Sequence, residues 1–118
     1  MLSAQVLERL RRRLEEERER LRKHIAELGE MLRQEDREIG SAEDDADIAA
    51  RTISYDGLLA LMESERETLV EVEAALLAME EGTYGRCVSC GREIEPARLE
   101  ARPYARRCIV CQERETLP

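Results

Sequence analysis

Cys87-Val88-Ser89-Cys90-Gly91 and, farther on, Cys108-Ile109-Val110-Cys111 decide how this chain is read. They hold the only four cysteines of a 118-residue chain, spaced Cys87-x2-Cys90-x17-Cys108-x2-Cys111. A tetrahedral Zn²⁺ needs four soft donors, and each Cys-x-x-Cys turn supplies two from one tight bend. Gly91, directly after the second thiol, fits such a knuckle because glycine takes φ > 0 without strain. No histidine stands nearby, so the site reads as closed and structural; a catalytic zinc keeps one position open for water. Two disulfides would need an oxidising compartment, and no signal-peptide pattern is present. A thioredoxin-like pair accounts for one Cys-x-x-Cys in a βαβ setting, not for two pairs outside one. The spacing predicts bound Zn²⁺ and a finger that folds only with metal.

The composition agrees with a metal-stapled module. Charged residues make up 39% and aromatic residues 3%, with no Trp and no Phe. A large globular core cannot be built from that, whereas long, solvent-washed helices can. No apolar run approaches the ~20 residues of a membrane span. A cytoplasmic protein is the expectation. The net charge of -8 is unevenly spread. Residues 1–83 hold 12 Lys/Arg and 22 Asp/Glu, a balance of -10, and residues 84–118 hold 7 Arg and 5 Glu, a balance of +2. The acid excess argues against unaided binding to a phosphate backbone.

Residues 4 to about 39 read as one helix. Leu7, Leu14, Leu21 and Leu28 fall seven apart, with Leu10 and Met31 in the companion positions, which is a heptad seam. Gly29 inside the pattern costs ~1 kcal/mol without stopping it. Gly40-Ser41 reads as the break, with Ser41 capping a second helix and Asp44 as its capping-box partner. The second helix runs to Glu81 and stops at Gly82. Its seam is Leu58, Met62, Leu69, Val72, Leu76 and Met79.

Folded antiparallel about residue 45, the two seams meet in one register. Leu28 then faces Met62, Leu21 faces Leu69, and Leu14 faces Leu76, while Leu10 faces Met79 and Met31 faces Leu58. His24, the only histidine, falls opposite Glu65 as a polar layer that specifies register. The predicted fold is mainly α: a long antiparallel helical hairpin (coiled coil) of roughly 50 Å at 1.5 Å per residue, with a small C-terminal four-cysteine zinc finger. Residues 1–83 form the hairpin, with an acidic tip at 40–50, and residues 84–118 form the finger. Within the finger a short hairpin is expected over 84–95. A helical turn should follow from Pro96 to Ala101 and a brief helix from Ile109 to about Glu115, over a core of Ile94 and Leu99 with Tyr84 or Tyr104.

The tip reads Gly40-Ser41-Ala42-Glu43-Asp44-Asp45-Ala46-Asp47-Ile48-Ala49-Ala50. Acids are favoured at the positive end of a helix dipole, by about 0.3–1 kcal/mol each. That accounts for Asp44 and Asp45. It accounts less well for Asp47, which lies beyond the first turn if the helix starts at Ser41. The small Ala46, Ala49 and Ala50 would let the acids approach a partner. From the residues alone, a contact site and ordinary helix-start charge both stay open.

Three elements coincide: the helical hairpin, the tip pattern Asp44-x-x-Asp47-x-Ala49, and the cysteine spacing with Ile94-Glu95-Pro96-Ala97-Arg98-Leu99-Glu100-Ala101-Arg102-Pro103 between the pairs. Together they resemble the DksA/TraR family of bacterial transcription regulators, over residues 40–111 and by pattern over 1–39. The resemblance implies a protein that binds RNA polymerase rather than DNA. It implies a hairpin that enters the secondary channel and tip residues Asp44, Asp47 and Ala49 that act near the catalytic centre. Larger family members also have an N-terminal extension and a long C-terminal helix, and the expectation for this chain is a short member with neither. Members that respond to ppGpp present basic residues near the finger. Arg98 and Arg102 match part of that set, but Glu71 and Gln112 stand where lysines are expected. A tetra-anion beside Glu71 meets repulsion, which weighs against ppGpp co-binding.

Two other classes remain as alternatives. A zinc-finger module could bind nucleic acid directly through Arg86, Arg92, Arg98, Arg102, Arg106 and Arg107. The acidic hairpin and the missing stacking aromatics weigh against it. A coiled-coil adaptor would use the tip only as a turn. No nucleophile–base constellation or open metal position points to an enzyme. A monomer is the simpler expectation, because the hairpin satisfies its own seam.

Overall fold

The structure is a computed structural model, and it describes residues 2–116. Four helices follow in order: α1 (Ala4–Ser41), α2 (Asp45–Glu81), α3 (Pro96–Ala101) and α4 (Ile109–Thr116). Among the described residues there is no sheet, only an isolated antiparallel bridge between Arg86 and Glu93. None of these helices is long and apolar enough to cross a membrane.

The chain forms two compact units. One joins the residues up to Glu19 to the chain from Val70 onward; the other is Arg20–Leu69. In the first, α1 starts at a Ser3 cap whose Oγ accepts from the Val6 N–H at 3.2 Å. Here α2 ends in a Schellman turn. The Thr83 N–H donates to Ala78 O (2.9 Å) and the Gly82 N–H to Met79 O (3.4 Å), with Gly82 at φ 77°. Glycine takes that left-handed angle without a Cβ clash, so the chain leaves α2 sharply and enters the finger. The core of this unit joins Leu10 to Cys87, Ile94, Leu99, Cys108 and Cys111, with Leu2, Val6, Met79 and Tyr84 packed against it. Arg9 hydrogen-bonds Glu100, and Arg13 Nη1 donates to Glu100 O at 2.7 Å. That carbonyl lies in the last turn of α3, where no helical N–H is available to it.

In the second unit, Leu28, Leu32 and Met62 form the buried cluster, flanked by Ile25, Tyr55, Leu58 and Leu59. The register expected from the sequence is present. Leu28 shares its cluster with Met62, Leu10 shares its own with Met79, and His24 Nδ1 lies 3.4 Å from Glu65 Oε2.

One seam position differs. Met31 is 50% exposed, and Leu32 takes its place at 7%. A straight helix drifts ~20° per heptad against a strict 3.5-residue repeat. After Leu21 and Leu28 the buried stripe therefore moves on by four residues instead of three. The start of α2 differs too. Ser41 ends α1, its Oγ donating to Glu38 O (3.3 Å), and Asp44 caps α2 instead. Asp44 Oδ1 accepts from the Ala46 N–H at 2.9 Å, and its carbonyl accepts from Ile48 at 3.0 Å.

Leu32→Ala should lower unfolding stability by about 2–4 kcal/mol, and Met31→Ala by about 0.5 kcal/mol or less. Urea denaturation of the two variants checks this, and equal losses would restore the strict heptad seam.

Candidate functional site

The metal centre is assembled by two turns of similar build. Gly91 N–H donates to Cys87 O (2.9 Å) and Gln112 N–H to Cys108 O (3.0 Å), so each Cys-x-x-Cys closes on its own first carbonyl. Gly91 takes φ 75° at the turn, as its place after Cys90 requires. The turns are held together by the backbone. Cys87 N–H donates to Arg92 O (2.8 Å), and Val88 N–H donates to Arg106 O (2.9 Å). The second bond crosses from one knuckle to the segment that feeds the other.

All four sulfurs lie within 4.8 Å of one another. Cys87, Cys108 and Cys111 are buried and Cys90 is exposed. The Sγ atoms of Cys90 and Cys108 are 3.8 Å apart. A bonded pair would stand at ~2.05 Å, whereas a tetrahedron with Zn–S of ~2.3 Å has edges of ~3.8 Å. The thiols are free, and their spacing fits one tetrahedral ion. A fourth sulfur in the set leaves no position for a reacting water.

Their protonation reflects the same crowding. Burial pushes the Cys87 thiol up, but backbone N–H groups of Cys108, Cys90 and Ser89 outweigh it and bring Cys87 down to about 6. Cys111, hydrogen-bonded to Cys108 and buried among the other sulfurs, is pushed up to about 12. Four sulfurs this close cannot all carry charge without a cation between them.

The finger around the centre is closed by side chains. Tyr84 OH donates to Pro103 O at 2.7 Å, and burial pushes its phenol up to about 12. Ile94 and Leu99 are 3% and 1% exposed, as expected of the core. Of the two arginines singled out in the sequence, Arg98 is half-buried and donates from Nε to Arg107 O at 2.9 Å. Arg102 is exposed and lies over the Tyr104 ring, 5.5 Å from its centroid. Arg107 is held by Glu115 at 3.0 Å.

At the tip, Asp44, Asp47 and Ala49 are all exposed. Because α2 begins at Asp45, Asp47 falls inside its first turn. It also pairs with Arg51, whose Nε lies 3.2 Å from Asp47 Oδ2. Helix-start charge thus accounts for Asp47 as well as for Asp44. Arg51 went unnoticed in the sequence, although an Asp four residues before an Arg on a helix is a readable pairing signal.

Zinc affinity should fall on acidification, since the ion must displace the Cys111 proton: roughly tenfold per pH unit for each proton displaced. Competition with a chromophoric chelator between pH 6 and 8 measures it, and a pH-independent affinity would contradict the thiol assignment.

Comparison with known proteins agrees with this centre. Residues 82–116 match the model of the prokaryotic DksA/TraR C4-type zinc finger. An uncharacterised protein of Aquifex aeolicus is 34% identical over 112 residues, covering 95% of this chain and 77% of its own length. The RNA polymerase-binding transcription factor DksA of Escherichia coli is 39% identical over 69 residues, 58% of this chain and 46% of that protein. The chain thus matches less than half the length of that relative. The solved structure of transcription factor DksA2 from Pseudomonas aeruginosa superposes with a TM-score of 0.78 at 30% identity, covering 96% of this chain and 84% of that one. With its two long helices, its four cysteines set for one zinc ion and these relatives, the chain belongs to the DksA/TraR family of C4 zinc-finger proteins.

Proposed function

We propose that this chain is a non-enzymatic, cytoplasmic transcription regulator that binds RNA polymerase through its secondary channel. Asp44, Asp47 and Ala49 at the tip act near the polymerase active site. Zinc holds the finger folded and takes no part in chemistry. The observation that carries this reading is the exposed Asp44-x-x-Asp47-x-Ala49 pattern at the start of α2, in a chain whose relatives include an RNA polymerase-binding factor.

Charge supports it. Carboxylates near a Mg²⁺-bearing centre act on its ions and on mobile groups around it without forming bonds. Two of the six finger arginines that the competing DNA-binding reading would use are already engaged. Arg98 and Arg107 are engaged inside the finger, the first with a backbone carbonyl and the second with Glu115. Arg98 and Arg102 remain as remnants of a basic ligand site. Glu71 and Gln112 stand where lysines are expected, and repulsion of a tetra-anion by Glu71 weighs against ppGpp co-binding.

Purified core polymerase should retain the zinc-loaded protein, and a gel shift with duplex DNA should show no complex. Asp47→Asn should reduce the effect on transcription at least about tenfold while polymerase binding changes less than about threefold. A mutant that acts like the parent would remove Asp47 from the mechanism, and a protein that shifts DNA but ignores polymerase would overturn the reading as a whole.

A further inference from the structure

Asp47 is not a loose carboxylate on a helix end. Arg51 sits one turn later on α2 and donates from Nε to Asp47 Oδ2 at 3.2 Å. The other end of the same guanidinium reaches α1. Its Nη1 lies 2.6 Å from Glu38 Oε2 and 3.8 Å from Glu35 Oε1. The Glu35 side chain is 22% exposed, and its Oε2 is buried without a hydrogen-bond partner. Glu35 and Glu38 therefore hold Arg51 from one side, and Arg51 holds Asp47 from the other. All four residues belong to the Arg20–Leu69 unit.

We propose that Arg51 is a positioning residue: it fixes the Asp47 carboxylate in one orientation, with Oδ2 occupied and Oδ1 left for a partner. The proposal rests on the reading of Asp47 as the acting acid. Asp47 is 46% exposed, and Oδ1 has no partner among the described residues. Three carboxylates share one guanidinium, so the group stays at -2 and keeps its attraction for a cationic or metal-bearing surface. Arginine suits the task because its planar fork serves two directions at once. A lysine is a single point charge and would satisfy either Glu38 or Asp47. Asp44 is oriented differently, by its own cap bond to the Ala46 N–H. The two acids are thus aimed by independent devices.

Two readouts on the full zinc-loaded chain test this. Hα–Hβ couplings of Asp47 should show one dominant side-chain rotamer in the parent and averaged rotamers in both Arg51→Gln and Arg51→Lys. In a transcription assay titrated with each protein, both variants should lower the plateau of the effect about five- to tenfold. The half-saturating concentration should stay within about twofold, as expected when geometry and not charge alone is lost. Unchanged couplings would overturn the proposal. So would a loss seen only as a higher half-saturating concentration, which reports a smaller folded fraction. If the parent itself leaves transcription unaffected, the functional reading fails, and the couplings still decide whether Arg51 orders Asp47.

Discussion

Leu10 is fully buried, and the core it belongs to includes three of the four cysteines. The helical seam and the metal site share one core in this part of the molecule, because Leu10 belongs to the same buried cluster as Cys87, Cys108, Cys111, Ile94 and Leu99. A chain with no Phe and no Trp has few large side chains to bury, and small domains of that kind need a cross-link. The zinc ion ties residues distant in sequence, and three of its four sulfurs lie in the buried core. Binding free energy of the metal is in this sense folding free energy. The bonds of Arg9 and Arg13 to Glu100 then fasten α3 to α1 at the surface, where such pairs add only modestly.

The tip obeys a different constraint. Every acid there stands at or near the start of α2, where unpaired N–H groups favour negative charge. Asp44 answers one of those N–H groups directly, and Asp47 adds an i, i+4 pair with Arg51. Residues that serve the fold in this way remain exposed and available to a partner. A structural duty and a functional one do not exclude each other when only one oxygen of a carboxylate is used.

The same reasoning separates the finger arginines. Arg98 stands between the cysteine pairs, and its Nε is committed to the Arg107 carbonyl. Its removal would disturb the approach to the second knuckle. Arg102, exposed over Tyr104, carries no such commitment.

The cysteine spacing alone predicted the tetrathiolate site, since a Cys-x-x-Cys turn places both sulfurs by local geometry and needs no knowledge of the rest. The antiparallel register was also legible, because one pairing of Leu10, His24 and Leu28 with Met79, Glu65 and Met62 satisfied both seams. Tertiary packing decided the finer matters. It chose Leu32 over Met31, as helical drift builds up over turns and the partner helix selects which side chain it covers. It moved the cap of α2 from Ser41 to Asp44, because α1 keeps its helical bonds through Ser41 and leaves only Ala42 to Asp44 for the turn. It also brought Glu35 and Glu38 to Arg51, a contact between helices that no spacing within either one encodes.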